Sequence, residues 1–366
     1  LALLIMALFF FVVGKIHKKK TLHHFAPSTL RIFKDSAVDF ALAFSNHSEN
    51  KKQFRDDLSS RADLPWFNDA DLNAAFPGNV YIFDIESYSD VFFRKTEFRQ
   101  SINEVTKSIA ETISAKGSFL HGGYLESPIW GSGSWMADQS FHCGYRIDKN
   151  WKHEVLFLSD KKCFPKFFKK AGWEVVDVRG STLSLSSEAH GIERLYGYTK
   201  HYYWNEFNYQ GKRFGFSKIP DQVVIEHIKN EIDSSKHFIF FQLSSSHYPY
   251  NELPEYMNDL SLLRNGSIAS RSFENIQDGY QYAIGYVLKS IHAFIKDKVT
   301  PEDIVIIFGD HQPAHGLATP ESNYTPIHII SNRPKFSFLN EGWPQALSPA
   351  NSLPMEAFLR TIFTEF

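Results

Sequence analysis

The chain has 366 residues, of which 43% are hydrophobic and 22% are charged, and its formal net charge is -2. This length and apolar content support one large α/β core or two smaller ones, which excludes a disordered protein. The balanced charge and scattered lysines provide no basic field, so no nucleic-acid partner is expected. Cys143 and Cys163 are the only cysteines. Two cysteines are too few for a disulfide scaffold. The sequence leaves open whether they form a single bridge and which redox compartment the protein occupies.

The chain begins with an apolar run that ends in a basic cluster. Residues 1–13 carry no charge, and four lysines follow between Lys15 and Lys20. A signal peptide carries its charges before the apolar run, and crossing a bilayer takes about 20 residues. The pattern predicts that 1–14 is the end of a transmembrane helix and 15–76 a juxtamembrane connector; a buried N-terminal helix is the alternative. By the positive-inside tendency, the basic cluster would place the following domain in the cytoplasm, but such clusters also bind anionic lipid headgroups. The side of the membrane on which the domain lies therefore stays open.

From residue 77 to residue 366, strand-like and helix-like segments alternate. Short runs rich in β-branched and aromatic residues predict buried strands at 79–85, 153–159, 173–178, 237–243, 303–308 and 325–331. Helical spacing of apolar residues predicts helices at 103–116, 164–172, 220–232 and 275–298. This alternation predicts an α/β domain with a mostly parallel central sheet and helices on both faces.

Polar residues follow several of the predicted strands. Glu86 ends the run NVYIFDIES, Asp310 and His311 follow DIVIIFG, and His247 follows HFIFFQL. Ser134 is the last residue of the Gly/Ser turn GSGS, at the start of a possible helix. Ligands in open α/β sheets bind beyond the carboxyl ends of strands, so these five residues are the first candidates for a functional site.

Two carboxylates and one imidazole, from Glu86, Asp310 and His311, suit Mn²⁺, Zn²⁺ or Mg²⁺ when they converge. The Ser134 hydroxyl could fill an open coordination position, where metal contact would lower its pKa and a helix N-terminus would stabilise an attached phosphate. Each piece also has a plainer interpretation: Glu86 as a helix-start carboxylate, GSGS as an ordinary turn, and His247 as a structural histidine.

Taken together and in this order, NVYIFDIES, SGSWMADQSF, SSSHYPY and FGDHQP resemble motifs of the lipoteichoic acid synthase and phosphoethanolamine transferase catalytic domains of the alkaline phosphatase/sulfatase superfamily. The resemblance covers about 79–366 and implies an alkaline phosphatase-like catalytic domain over 77–366. It implies metal-ligand roles for Glu86, Asp310 and His311. Ser134 is implied as the residue that carries the phospho-group, with Ser132 in reserve.

The resemblance also implies substrate contacts. His247 takes the part of the family histidine that contacts the substrate phosphate. The family's phosphate-binding arginine has no clear match; Arg179 is the candidate and Arg194 a weaker one. The stretch GFSKIPDQVV around Asp221 resembles a segment that we interpret as structural. Of the remaining histidines, His190 and His315 are expected in solvated loops.

Two features depart from the family pattern. The nucleophile position holds Ser134 where the closest families mostly use Thr, and GDHQPAHG replaces the usual glycine after the Asp-His pair. These departures leave the subfamily open. A sulfatase is disfavoured, because the modified residue of that branch is followed at short spacing by a Pro or Ala and an Arg, and SWMAD contains no Arg.

The resemblance implies a membrane-anchored transferase that uses one divalent metal ion, Mn²⁺ or Zn²⁺ with Mg²⁺ as an alternative. It would move a phosphoglycerol- or phosphoethanolamine-type group from a phospholipid to a glycan or lipid acceptor through a Ser-linked intermediate. The implied location is the cell inner membrane, with the catalytic domain on the periplasmic or extracellular side. The alternatives are a phosphatase or phosphodiesterase of the same superfamily, and a non-catalytic glycan- or lipid-binding module.

Overall fold

A computed structural model describes residues 49–60, 69–161, 163–182, 187–264, 266–313, 316–318, 321–344, 348–363 and 365. The predicted transmembrane segment 1–14 and much of the connector lie outside these residues. None of the helices in the described part has the length and hydropathy that a membrane crossing requires.

The chain forms eleven strands within the described ranges: β1 (Val80–Ile85), β2 (Phe119–Glu126), β3 (Glu174–Arg179), β4 (Lys200–Tyr203), β5 (His237–Leu243), β6 (Glu252–Pro254), β7 (Ser270–Ser272), β8 (Ile304–Gly309), β9 (Tyr324–Ser331), β10 (Asn340–Glu341) and β11 (Ser352–Pro354). The helices are α1 (49–60), α2 (Asp69–Ala75), α3 (Val91–Arg94), α4 (Thr96–Ala115), α5 (Ser134–Cys143), α6 (Asn150–Phe157), α7 (Pro165–Lys170), α8 (Ser187–Tyr196), α9 (Asp221–Glu231), α10 (Leu260–Arg264), α11 (Ile276–Lys298) and α12 (Phe358–Phe363). Single 3₁₀ turns occupy Trp204–Phe207, Pro349–Asn351 and Met355–Ala357.

The main sheet has the strand order β10-β2-β9-β8-β1-β5-β3-β4, and β11 pairs with β2. The strands β8, β1, β5, β3 and β4 are mutually parallel, whereas β9 runs antiparallel to β8 and to β2. The predicted mostly parallel sheet is therefore confirmed. Because β1 lies between β5 and β8, the carboxyl ends of all three strands meet at one edge of the sheet.

Aromatic residues fill the core on both faces of the sheet. On one face Phe83 stacks on Phe241 with 4.6 Å between ring centroids, and both contact Phe294 of α11. On the other face Phe141 of α5 stacks on Phe308 at 4.2 Å. Burying one such side chain stabilises the fold by about 1.5–3 kcal/mol. The second contact fixes α5 against the centre of the sheet.

The prediction of a strand at 153–159 is wrong. This segment belongs to α6, which buries Val155 and Leu156 while Glu154 and Leu158 are exposed. A four-residue apolar run, 155–158, does not distinguish the period of a strand from that of a buried helix segment. The error therefore came from a pattern too short to decide.

Strand β2 was not predicted, because Gly122 and Gly123 interrupt its apolar residues. Both glycines lie where another chain segment passes closely. A Cβ at Gly122 would lie 2.6 Å from Pro344, and one at Gly123 would lie 2.6 Å from Leu339. Glycine is required here by the close approach of the segment that follows β9, which is a tertiary feature.

Part of the predicted connector packs on the core of the domain that follows it. Leu58 of α1, Leu72 of α2 and Phe76 are 3%, 1% and 2% exposed and belong to the same apolar cluster as Phe141. The domain boundary at residue 77 stays a prediction, but side chains before it contribute to the core.

A disulfide joins Cys143, at the end of α5, to Cys163, which precedes α7. The two cysteines are 20 residues apart in sequence. Closing a loop of this length removes conformational freedom from the unfolded chain, and it typically stabilises the folded state by about 2–4 kcal/mol.

We expect Cys143→Ala/Cys163→Ala to lower the free energy of unfolding by about that amount in urea titrations. A reducing agent should lower the wild-type value similarly but leave the double variant unaffected.

Candidate active site

Three predicted metal ligands meet at the carboxyl ends of β1 and β8. Ile85 pairs with Gly309 in these parallel strands, so Glu86 and Asp310 emerge side by side. The ligand atoms of Glu86, Asp310 and His311 all lie within 4.8 Å of one another, and all three residues are buried. His311 Nε2 lies 3.3 Å from Glu86 Oε1 and 3.3 Å from Asp310 Oδ2. We call these residues the acid–histidine trio.

The chain leaves β1 through a left-handed residue. Ser87 has a φ of 61°, a conformation that non-glycine residues adopt rarely. Three contacts hold it there: its N–H donates to Asp310 Oδ1 at 2.7 Å, its hydroxyl donates to Glu86 Oε1 at 2.9 Å, and the Tyr280 hydroxyl donates to its carbonyl at 2.6 Å. This turn orients the Glu86 carboxylate toward Asp310.

Glycine is required at the end of β8, opposite this turn. A Cβ on Gly309 would lie 1.8 Å from the carbonyl oxygen of Tyr88. Only glycine lets the β1 turn pack so closely on β8, because its Cα carries no side chain. Gly309 therefore determines how near Asp310 comes to the β1 turn.

Ser134, the predicted nucleophile, lies beside the trio. It is the first residue of α5 and follows Gly133, whose φ of 93° suits glycine and turns the chain sharply into the helix. The Ser134 hydroxyl donates to Glu86 Oε2 at 3.1 Å and lies 3.3 Å from His311 Nε2. A phosphate on this oxygen would sit at the helix N-terminus, where unpaired N–H groups stabilise negative charge.

The orientation of the His311 ring leaves a lone pair facing the carboxylates. Its Nδ1 lies 2.9 Å from the Gln312 carbonyl oxygen, which can only accept, so Nδ1 carries the hydrogen. In the neutral ring, Nε2 is then free to bind a metal ion, an arrangement typical of metal-binding histidines.

Burial and neighbouring charge act in opposite directions on the two carboxylates. Burial, followed by the charge of Glu86, raises the pKa of Asp310 to about 7. Burial also acts to raise the pKa of Glu86, but the neighbouring His311 and His247 hold it below its usual range. The two carboxyl groups therefore differ in acidity, and Glu86 is the stronger acid.

The trio fits a divalent metal ion. Asp310 Oδ2 is buried and accepts no hydrogen bond of good geometry from the described residues. A buried carboxylate oxygen without a donor is costly, and a cation would satisfy it. Two carboxylates and a neutral imidazole suit Mn²⁺ or Zn²⁺, and the nearby Ser134 hydroxyl could supply a further oxygen ligand.

Metal affinity should depend on pH through Asp310. A metal ion must displace the proton of a carboxyl whose pKa is about 7, so affinity is expected to fall as pH falls below that value. Burial acts to lower the pKa of His311, but the charges of Asp310 and Glu86 raise it above its usual value, so the metal ion also displaces a proton from this ring. Coupling to these two protons predicts a loss of about tenfold to a hundredfold per pH unit between roughly pH 6.5 and pH 5. Calorimetric Mn²⁺ titrations at several pH values would measure it. An affinity that does not change over this range would contradict the prediction.

His247 approaches the trio from the neighbouring strand. It follows β5, close enough for its charge to affect the pKa of Glu86, and the adjacent Ser246 hydroxyl donates to the Glu86 carbonyl at 2.6 Å. Phe216 stacks on the His247 ring with 4.0 Å between centroids. The carboxylate of Asp221 accepts the N–H groups of the two serines before Ser246, at 3.0 and 2.9 Å, and so anchors this loop.

Arg179 binds two carboxylates in the structure. Its Nη1 donates to Asp138 Oδ2 at 2.8 Å, and its Nε donates to Asp177 Oδ1 at 2.8 Å. The guanidinium is buried, and its observed partners are these carboxylates. A substrate role for Arg179 stays a prediction. Arg194 donates to the Phe157 carbonyl instead.

The other reserve candidates lie apart from the trio or cannot be placed. Ser132 is exposed in the loop before α5. The His190 side chain and His315 fall outside the part of the chain that is described.

Sequence reasoning missed a buried acidic pair beneath the nucleophile. Asp138 lies one helical turn after Ser134, and Asp84 lies two residues before Glu86 on β1. One turn of helix and two strand residues both span about 6 Å. Ser134 can therefore face Glu86 while Asp138 faces Asp84. Burial, followed by the charge of Asp138, raises the pKa of Asp84 well above its usual range. The i, i+4 spacing from Ser134 was the available signal.

Comparison with known proteins identifies the fold. No family model matches the chain, and no curated protein matches its sequence. Among solved structures it resembles the lipoteichoic acid synthase LtaP from Listeria monocytogenes, with 16% identity, a TM-score of 0.51, and coverage of 79% of this chain and 72% of that one. The Streptococcus pyogenes phosphoglycerol transferase GacH, in complex with sn-glycerol-1-phosphate, also matches, with 15% identity, a TM-score of 0.49, and coverage of 87% and 80%.

A third match is the soluble domain of lipooligosaccharide phosphoethanolamine transferase A from Neisseria meningitidis, with 12% identity, a TM-score of 0.45, and coverage of 69% and 75%. Identities this low show the fold alone. The mixed, mostly parallel sheet of this chain is an alkaline phosphatase-like fold, as predicted.

Proposed function

We propose that the protein is a membrane-anchored, metal-dependent transferase that moves a phosphoglycerol- or phosphoethanolamine-type group from a phospholipid to a glycan or lipid acceptor. The observation that carries this proposal is the Ser134 hydroxyl at a helix N-terminus, within 3.1 Å of Glu86 and 3.3 Å of His311. A nucleophile beside a buried metal-type site is the arrangement that phosphoryl-group transfer through a covalent intermediate requires. The likeness to a lipoteichoic acid synthase supports it.

Glu86, Asp310 and His311 would hold the metal ion, which when bound polarises the phosphate and lowers the pKa of the Ser134 hydroxyl. The Ser134 oxygen then attacks phosphorus and its proton leaves along the hydrogen bond to Glu86. The bond from phosphorus to the diacylglycerol oxygen breaks, and His247 supplies a proton to that oxygen. The intermediate carries the headgroup phosphate as a diester on Ser134.

The second step reverses the first with a new alcohol. An acceptor hydroxyl attacks phosphorus and gives its proton to His247, the bond from phosphorus to Ser134 breaks, and the proton held by Glu86 returns to the serine oxygen. The unpaired N–H groups at the start of α5 stabilise the phosphate oxygens throughout. If water replaces the acceptor, the same residues make the protein a phosphodiesterase.

The disulfide supports an extracytoplasmic location for the domain. Disulfides persist in oxidising compartments such as the periplasm and the cell surface, and they are rare in the cytosol. The bridge between Cys143 and Cys163 joins two segments of the catalytic core. We place the domain on the periplasmic or extracellular side of the inner membrane, anchored through residues 1–14.

The test is turnover of a phospholipid labelled in its headgroup, with added Mn²⁺ or Zn²⁺ and with a metal chelator as control. The transferase predicts metal-dependent release of diacylglycerol and appearance of the label on an added alcohol or glycan. Release of diacylglycerol with the label appearing only in water-soluble phosphodiester would identify a hydrolase. A protein that binds no divalent metal and releases no diacylglycerol would be a non-catalytic binding module.

A further inference from the structure

A cleft of about 690 Å³ opens beside the nucleophile helix. It lies between α5, α6 and α8, next to the end of β3. The residues that line it include Trp135, Gln139, Leu158, Arg179 and Tyr196. Its volume lies within the range of sites that bind small molecules. Since Trp135 directly follows Ser134, the cleft begins one residue from the proposed nucleophile.

Trp135 offers a large ring to whatever enters the cleft. It is 49% exposed, although most of the large aromatic residues of this protein are buried. An exposed indole stabilises a ligand by contact with C–H groups and can also donate a hydrogen bond. Pyranose rings present C–H groups on one face and hydroxyls at their edges, so they match such a surface.

Gln139 provides a second, independent observation. It lies one helical turn after Trp135 and is only 2% exposed, yet its Oε1 has no hydrogen-bond donor among the described residues. A buried amide oxygen without a donor costs roughly 1–3 kcal/mol. Because Gln139 lines the cleft, a hydroxyl of a bound ligand could donate to this oxygen.

Charge selects against an anionic ligand. Among the described residues that line the cleft, Arg179 is the single permanent cation, and Asp138 and Asp177 already bind its guanidinium. Glu154, on the rim, pairs with Lys51 at 3.3 Å. Among the described residues, the cleft therefore provides no unpaired cation that could bind the phosphate of an anionic ligand. Its polar groups suit a neutral ligand rich in hydroxyls.

We propose that this cleft binds the acceptor and that the acceptor is a neutral saccharide, with one sugar ring against Trp135 and a hydroxyl donating to Gln139. The role as acceptor rests on the function proposed above, whereas the binding of a saccharide does not. In the transfer step, the saccharide hydroxyl oxygen bonds to phosphorus as the bond from phosphorus to Ser134 breaks. The hydroxyl proton passes to His247, and the proton held by Glu86 returns to the serine oxygen.

Saccharide binding is measured directly, without turnover. The full-length protein is titrated with maltotriose and with chitotriose, and binding is followed by saturation-transfer NMR and calorimetry. Wild type is expected to bind at least one of them with a dissociation constant of about 10 mM or tighter. Trp135→Ala and Gln139→Ala should each weaken binding about tenfold or more. Phe119→Ala is the matched control, because Phe119 is also exposed, 38%, and lies at the opposite end of β2 from the site.

The outcomes separate this proposal from the proposed function. Metal-dependent diacylglycerol release without saccharide binding overturns the cleft assignment and leaves the transferase intact. Binding that both cleft variants weaken, in a protein that releases no diacylglycerol, supports the site and removes its acceptor role. Equal affinity in wild type and Trp135→Ala overturns the site. So does binding of glycerol 1-phosphate that Trp135→Ala and Gln139→Ala both weaken, since that identifies the cleft as an anion site. Because Trp135 is exposed, its variant should fold, which circular dichroism checks.

Discussion

Replacing Ser134 by alanine is expected to lower metal-dependent diacylglycerol release by about 10⁴-fold or more and to abolish the covalent phospho-adduct. The change removes the oxygen that would bond to phosphorus, and no other hydroxyl among the described residues lies within hydrogen-bond distance of both Glu86 and His311. Loss of an essential nucleophile typically has effects of this size. Initial rates with labelled phospholipid, together with mass spectrometry of protein trapped during turnover, would measure both quantities.

Two comparisons make this result specific. Ser132→Ala is the matched control, since Ser132 is a nearby exposed serine, and it should retain nearly all activity. The Ser134→Ala protein should still bind Mn²⁺, because Glu86, Asp310 and His311 remain. Retained turnover in Ser134→Ala, or loss of turnover in Ser132→Ala alone, would show that a residue other than Ser134 is the nucleophile. Loss of metal binding in Ser134→Ala would show that the hydroxyl mainly completes the metal site.

Replacing Arg179 by methionine is expected to lower the free energy of unfolding by about 3–5 kcal/mol. The guanidinium pairs with Asp138 at 2.8 Å and with Asp177 at 2.8 Å, and both carboxylates are buried. Removing one partner of a buried ion pair leaves the remaining charges without compensation, whereas methionine fills similar volume. Urea unfolding followed by circular dichroism would measure the change.

A second arginine provides the comparison. Arg146 pairs with Glu126 at 3.1 Å, but their side chains are 32% and 38% exposed, so Arg146→Met should cost only about 0–1 kcal/mol. The experiment also tests the sequence-based expectation that Arg179 contacts the substrate phosphate. An Arg179→Met protein of wild-type stability, with turnover reduced by a large factor, would favour the substrate role. Reduced stability would identify Arg179 as the residue that holds α5, through Asp138, against the sheet.

The fold class and the candidate residues of the trio follow from local features of the sequence. Apolar runs such as 237–243 and 303–308 predicted strands that the structure contains. The polar residues that follow them, including His247 and Asp310, lie at the predicted edge of the sheet. Local sequence was sufficient because strand period, chain alternation and strand ends are all properties of neighbouring residues.

Which distant groups meet depends on how the chain packs in three dimensions. The register between β1 and β8 sets the distance from Glu86 to Asp310, and the path of α5 along β1 brings Ser134 to them. Strand β2, the partners of Arg179 and the pairing of the two cysteines depend equally on packing. Contacts between residues far apart in sequence leave no periodic trace along the chain, so they emerge only when the chain folds.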